Sequence, residues 1–136
     1  MKRVGGCLCG AVRYETSAEP SFQGICHCRD CQRSSGGAYI PAFFVPENML
    51  AVTGEVHSYT SRGTSGGEIT RSFCPKCGSQ VFARPAVLGG LVGVRAGTLD
   101  DPSQFKPQLE IFTSTAAPWH QANPDTTKYP ELPPSR

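Results

Sequence analysis

The sequence predicts an all-β, single-domain protein, and two observations support this fold class. Short segments with alternating or apolar residues recur along the chain, separated by turn-forming residues about every eight to twelve positions. No segment has the sustained 3.6-residue periodicity that would predict a long helix. A chain of 136 residues is long enough for one domain with its own core. We therefore expect residues 1–136 to form a single unit built mainly of strands.

The first half of the chain contains three predicted elements. Alternation of apolar and charged residues predicts a half-buried strand at 11–16. A short helix is predicted at 30–35, because Gly36 follows it and glycine commonly ends helices. Apolar and aromatic residues predict a strand at 38–45, where Pro41 indicates a sheet edge or a bulge.

The second half continues the pattern of short strands. Segments 50–53 and 56–61 are separated by Gly54 and Glu55, a spacing that predicts a β-hairpin. A loop rich in glycine, serine and threonine follows. Segment 68–73 also alternates and is predicted as a strand. Three further strands are predicted at 80–84, 91–97 and 109–114.

The composition changes near the C-terminus. Residues 118–136 include five prolines and few aliphatic residues, so this tail is not expected to form part of a sheet core. We expect the tail to pack on the domain through Trp119 and Tyr129.

The charge balance excludes several classes of function. Lys and Arg number 13 against 11 Asp and Glu, giving a net charge of +2, which is too small to indicate a nucleic acid or membrane partner. No apolar signal region or membrane-spanning stretch is present in the sequence. We therefore expect a soluble, cytoplasmic protein, in which cysteines serve as metal ligands or reactive thiols rather than disulfides.

Four of the seven cysteines form two short pairs far apart in the sequence. Cys7 and Cys9 are separated by one residue, and Cys74 and Cys77 by two. Two such pairs can supply four thiolates to one tetrahedral ion, the closed arrangement of structural zinc sites. We predict that these four cysteines bind a structural zinc.

The other three cysteines, Cys26, Cys28 and Cys31, lie within six residues. Such close neighbours cannot form disulfides with one another without severe strain, whereas a soft divalent ion can take several thiolates from one loop. Three ligands leave a fourth position open, which is typical of catalytic zinc sites. We predict an open, catalytic zinc here, so that the chain would hold two zinc ions.

A histidine is the alternative fourth ligand for this second site. His27 lies between Cys26 and Cys28, so its side chain is expected to point away from an ion that both cysteines hold. His57 is on a predicted strand and His120 is in the tail. A lone histidine in such positions is more often structural than a ligand.

The charge of a three-thiolate site suggests its chemistry. A divalent zinc with three thiolates has one net negative charge, so it activates water poorly but still accepts a thiol. Nearby cations would favour such binding, and Arg29 and Arg33 are the expected ones.

Four local motifs resemble those of the glutathione-dependent formaldehyde-activating enzymes, which share a domain with centromere protein V. They are G-x-C-x-C-G-x-V, C-H-C-x-x-C-x-x-x-x-G, F-C-x-x-C-G-S and G-T-L-D-D-P, at Gly5–Val12, Cys26–Gly36, Phe73–Ser79 and Gly97–Pro102. The resemblance implies a β-tent zinc fold of short antiparallel strands and the two zinc sites described above. It also implies carbon–sulfur lyase activity, with glutathione and formaldehyde joined as S-hydroxymethylglutathione.

Two other classes of function stay open at the level of sequence. One is a non-catalytic zinc module that binds a protein or nucleic acid, and the weak net charge and the lack of a basic aromatic strip disfavour nucleic acid. The other is a metal or redox sensor in which the three-cysteine site is a labile thiolate centre. The true substrate and the oligomeric state do not follow from the sequence.

Overall fold

The computed structural model describes residues 1–134, which contain eleven β-strands, one α-helix and several short 3₁₀ turns. The prediction of a mainly β protein is confirmed. None of the helices in the described part of the chain is long and apolar enough to span a membrane. The strands are β1 (Arg3–Gly6), β2 (Arg13–Thr16), β3 (Phe22–Cys26), β4 (Ile40–Pro46), β5 (Ala51–Thr53), β6 (His57–Arg62), β7 (Glu68–Phe73), β8 (Gln80–Pro85), β9 (Leu91–Arg95), β10 (Leu109–Ile111) and β11 (Thr127–Lys128), and the helix α1 is Arg29–Ser35.

The strands form two sheets. The small sheet has the order β1-β2-β5, and the large sheet has the order β11-β10-β3-β4-β9-β8-β7-β6. Neighbouring strands are antiparallel except at β10, which runs parallel to β3 and β11. A parallel pair needs a crossover rather than a tight turn, and the long connection between β10 and β11 provides one for that pair.

The main core lies between the two sheets. Phe43 and Phe82 of the large sheet are buried in one cluster with Tyr14 of the small sheet and with Val12, which directly precedes β2. The Tyr14 ring contacts the Phe82 ring edge-on, with centroids 5.7 Å apart. The Tyr14 hydroxyl hydrogen-bonds the Thr98 hydroxyl at 2.8 Å, so the one polar atom of this buried ring is satisfied.

The opposite face of the large sheet has unusually small side chains at its centre. Gly24 is paired with Ala42, and Ala83 with Gly93, in neighbouring strand pairs. Paired residues project from the same face of a sheet. The side chains at the centre of this face therefore project only a short distance, and they leave an unfilled space above the sheet.

The predicted hairpin between segments 50–53 and 56–61 is wrong. Strand β5 pairs with β2 in the small sheet, whereas β6 pairs with β7 in the large sheet. Gly54 is where the chain passes from one sheet to the other, with a φ of +95°. A Cβ atom at this position would lie 2.0 Å from the carbonyl oxygen of Ala11. The glycine thus serves a close approach between chain segments rather than a hairpin turn.

We expect Gly54→Ala to destabilise the protein by about 1–3 kcal/mol or more, since it adds both strain at positive φ and a backbone collision. Gly66→Ala is the matched control, because Gly66 has the same φ of +95° but no atom within 4 Å of an added Cβ. Urea denaturation would measure the unfolding free energy of both variants. The difference between their losses gives the cost of the backbone collision, because the strain at positive φ is common to both. Equal losses of unfolding free energy would contradict the role assigned to the Gly54 approach.

Pro41 marks neither a sheet edge nor a bulge. Strand β4 is central, between β3 and β9, and pairs with β3 without a register shift. The ladder with β9 begins at Ala42, so Pro41, near the start of β4, lies outside that ladder and its missing N–H interrupts none of its hydrogen bonds. The irregularity lies instead between Ser72 and Phe73 in β7, just before Cys74.

The ends of the chain add two strands that the sequence did not indicate. Strand β1 contains Gly5, where a Cβ would lie 2.2 Å from the Thr98 carbonyl oxygen, so close packing requires a residue of low strand propensity. Strand β11 extends the edge of the large sheet beside β10.

Tyr129 is half-buried, and its carbonyl accepts two hydrogen bonds from Thr113. The expected packing of Trp119 is wrong, since 70% of its surface is exposed.

Candidate functional site

Four cysteines meet where the small sheet contacts the large sheet. Cys7 and Cys9 follow β1, and Cys74 and Cys77 follow β7. The Sγ atoms of Cys7 and Cys9 are 3.7 Å apart, and those of Cys9 and Cys74 are 3.8 Å apart. Ligands about 2.3 Å from a tetrahedral zinc are about 3.8 Å from one another. The spacing of these sulfurs therefore fits a zinc ion. We call this group the quartet.

Hydrogen-bond donors favour the thiolate form of two members of the quartet, Cys7 and Cys77. The Val12 amide donates to Cys7 Sγ at 3.2 Å and is the largest cause of the lowered pKa of that thiol. The Ser79 hydroxyl lies 3.2 Å from Cys77 Sγ, and it lowers the pKa of Cys77 to about 5 together with the Ser79 amide. Lowered thiol pKa values are what metal binding requires, because the thiolate is the ligand.

The other three cysteines meet at the start of the helix, with their sulfur atoms within 4.8 Å of one another. Cys26 ends β3, Cys28 is the N-cap residue of α1, and Cys31 lies in the first turn. The Cys28 sulfur accepts the Cys31 amide at 3.2 Å. We call this group the triplet. Helix α1 begins one residue before the predicted start and ends as predicted, at Gly36 with a φ of +76°.

The triplet carries negative charge on Cys28. Contacts from the Cys26 and Cys31 thiols lower the pKa of Cys28 to about 2. Hydrogen bonds to Cys28 and Cys31 raise the pKa of Cys26, and burial raises it further. The three sulfurs thus share protons around one thiolate. This donor set also fits a soft divalent ion, which would replace the shared protons.

None of the three histidines joins the triplet. His27 is fully buried and points away from it, as predicted, with Nε2 at 2.6 Å from a Glu110 carboxylate oxygen. The His120 ring lies beside the His27 ring, with centroids 4.6 Å apart. His57 is exposed and pairs with Glu55. No local pattern in the sequence indicates that His27, Glu110 and His120 lie together, and they form a third group of potential metal ligands.

Hydrogen bonds hold the loop between Cys26 and Cys28 in place. The His27 amide donates to the Ile111 carbonyl at 3.0 Å, and the His27 carbonyl accepts from the Gln32 side chain at 2.8 Å. The second carboxylate oxygen of Glu110 accepts from the Thr126 hydroxyl. The buried histidine therefore positions the two flanking cysteines.

A cavity of about 600 Å³ opens beside the triplet, above the small residues of the large sheet. All three triplet cysteines line it, together with Arg71 and Arg95. Arg95 is close enough to the three thiols to interact with their charge, and burial lowers its own pKa to about 10. The site is therefore both open to a small molecule and positively charged.

The cations expected near the triplet are different residues from those that the sequence indicated. Arg29 and Arg33 are exposed, and Arg29 hydrogen-bonds Gln32 of the same helix. Arg71 and Arg95 come from β7 and β9, more than thirty residues from the triplet in the sequence. Only sheet pairing brings them to the site, so no local pattern could have identified them.

Comparisons with known proteins bear on both cysteine groups. A family model described as glutathione-dependent formaldehyde-activating enzyme matches residues 2–115, a range that includes all seven cysteines. The crystal structure of a Rhodobacter sphaeroides protein, a Northeast Structural Genomics target, is similar to this chain, with a TM-score of 0.57 and 26% sequence identity. That match covers 74% of this chain and 88% of the other.

Proposed function

We propose a function from the premise that the chain belongs to the glutathione-dependent formaldehyde-activating enzyme family. The protein is a zinc-dependent carbon–sulfur lyase that acts on the thiol adduct of a small aldehyde. Glutathione is the thiol that the family name suggests. The quartet holds a structural zinc, and the triplet holds a second, catalytic zinc.

One observation carries this proposal. Among the described residues, three sulfurs converge at the triplet without a fourth protein ligand, and all three face a cavity large enough for a small molecule. A zinc ion held there would supply a soft position that accepts a thiolate from outside the protein. The quartet has four protein ligands, and a closed site of that kind offers no such position.

The reaction requires only bond exchange and a proton transfer. In the synthetic direction the sulfur of the thiol forms a bond to the carbonyl carbon of the aldehyde. The π-electron pair of the carbonyl moves to its oxygen, which takes the proton that the thiol loses. The reverse direction breaks the same C–S bond. Arg95, whose charge interacts with all three triplet cysteines, favours the anionic form of the incoming thiol.

Cobalt substitution gives a direct test, because cobalt–thiolate absorption bands respond to a change of ligand. We expect glutathione to shift the bands of one of two bound cobalt ions, and Cys31→Ser to abolish the shift. The zinc protein should also accelerate the exchange between formaldehyde, glutathione and their adduct, measured by NMR line broadening.

Arg33→Gln is a suitable control, since Arg33 is an exposed residue of the same helix. It should leave both the spectral shift and the exchange rate unchanged. A shift without acceleration would retain thiol binding and require a different electrophile. No shift with any small thiol would refute the lyase proposal and favour a zinc-binding interaction module.

A further inference from the structure

The walls of the cavity are mostly apolar. Its floor consists of the small residues at the centre of the large sheet, and the rings of Phe22 and Phe44 stack beside it with centroids 4.4 Å apart. Aliphatic side chains that complete the walls include Ile69, Val87, Leu109 and Ile111. Such a surface gains free energy mainly by covering apolar parts of a ligand.

Arg71 and Arg95 are the only cationic side chains among the described residues that line the cavity. The Nε atom of each is buried without a hydrogen-bond partner. Their remaining contacts are long, at 3.3 Å from Arg71 to the Ser61 hydroxyl and 3.4 Å from Arg95 to the Gln80 side chain. Neither forms an ion pair with a carboxylate in the described part of the chain.

Unpaired guanidinium groups in a buried position are costly, so they indicate an anionic ligand. The charge of the site supports the same conclusion. Three thiolates around a divalent ion leave one negative charge, which one arginine balances, and a second arginine leaves one positive charge over. That charge matches one anionic group on the ligand. A carboxylate would fit the bidentate geometry of the guanidinium groups, while the sulfur of the same molecule stays beside the triplet.

Strand register places the two arginines between the triplet and the apolar end of the cavity. Cys26 pairs with Ile40, and two residues further along the sheet Arg95 pairs with Ala42. Arg71 pairs with Ala83, which lies opposite Gly93, a further two residues along. The apolar residues Phe22 and Ile69 lie level with Arg71 or beyond it. An anion at the arginines would therefore sit beside the sulfur site, with apolar contacts beyond.

Glutathione matches this cavity poorly. It has an ammonium group, two carboxylates and two amides, whereas the described lining residues include no acidic side chain to pair with the ammonium. Polar groups buried against apolar walls without partners lower affinity.

We infer that the cavity binds an apolar thiol with one carboxylate close to its sulfur, and that Arg71 and Arg95 bind the carboxylate. The inference rests on the proposed function, in which the triplet binds the sulfur, and it names the class of thiol that the site accepts. An α-mercapto acid with an apolar chain has this arrangement.

Five probes test the inference by calorimetry with the zinc-loaded protein. 2-Mercaptooctanoate should bind at least about tenfold more tightly than thiolactate, which has the same head but five fewer methylenes, because each buried methylene contributes about fourfold. It should also bind at least about tenfold more tightly than glutathione. Octanoate, which lacks sulfur, should bind more tightly than octanol, which lacks the charge.

Two variants test the arginines. Arg71→Gln should weaken octanoate binding at least about tenfold, as expected for loss of a charge-assisted hydrogen bond, and leave octanol binding unchanged. Arg84→Gln is the matched control: it removes the same charge from β8, where Arg84 lies over Phe82 on the core face. If Arg71→Gln does not fold, Arg95→Gln and the comparison of octanoate with octanol in the unmodified protein provide the same test.

The outcomes separate this inference from the proposed function. Octanoate binding no tighter than octanol, or glutathione binding as tight as 2-mercaptooctanoate, would overturn the inference. If glutathione still shifted the cobalt bands, the lyase proposal would stand. Octanoate binding that depends on Arg71, without a cobalt shift by any thiol, would support the carboxylate site and refute the lyase proposal.

Discussion

Cys74→Ser is expected to cause the largest loss of stability of any substitution considered for this protein. Cys74 is completely buried in the main core and is the first cysteine after β7. The quartet joins the ends of two sheets that otherwise meet mainly through the apolar core. A structural zinc contributes on the order of 10 kcal/mol of folding free energy in small zinc peptides. Here the core retains part of the stability, so we expect a fall of more than about 10 °C in melting temperature.

Circular dichroism melting and zinc analysis of the same samples would measure this effect. The variant should lose one equivalent of zinc together with its stability. Excess zinc should restore little, because serine is a poor ligand for this ion. A variant that melts within a few degrees of the parent would remove the quartet from a structural role.

Cys28→Ser should have the opposite profile: a large loss of activity with little loss of stability. The proposed role of Cys28 is to hold the catalytic zinc. Removing one of the three ligands should lower the activity by more than the roughly 10–100-fold that typically follows loss of a residue that hydrogen-bonds a metal ligand. The triplet joins only β3 and α1, which are adjacent in the sequence, so its ion contributes less to the fold than that of the quartet.

The choice of serine matters, because Cys28 also caps α1 by accepting the Cys31 amide. Serine is a good N-cap residue, whereas alanine costs about 0.5–2 kcal/mol at such a position. Cys28→Ala should therefore lose the same equivalent of zinc but melt at a lower temperature than Cys28→Ser. If Cys28→Ser unfolds as easily as Cys74→Ser, the division of the cysteines into a structural and a catalytic group is wrong.

Local patterns predicted most strands but not their partners. The alternating segment at 68–73 is strand β7, with the bounds expected from the sequence. The segment at 50–53 was also correctly predicted as a strand, yet its partner is β2 rather than β6. Alternation reports that one face of a strand is buried, and it carries no information on which strand lies alongside. Gly54 suggested a hairpin because glycine is common in turns. Glycine is equally required where two chain segments approach closely, so its presence does not distinguish the two cases.

The residues that line the cavity show the same limit. The three triplet cysteines are recognisable because they lie in six consecutive residues, which gives their sulfurs a short-range pattern. Arg71 and Arg95 lie on two strands that do not pair with each other, and neither has a distinctive neighbour in the sequence. Their burial beside the triplet follows from the registers of four strand pairs, which no single segment determines.

The fold class, the family and the grouping of seven cysteines into a quartet and a triplet were all predictable from the sequence. Alternation, turn residues and ligand spacing are short-range properties, and they act within a few residues of one another. The folded chain was needed to see that the two sheets enclose the core, that small residues leave a cavity over the large sheet, and that two arginines face this cavity. These features depend on which distant strands pair and in which register, because pairing determines which side chains share a face and whether any volume is left above them.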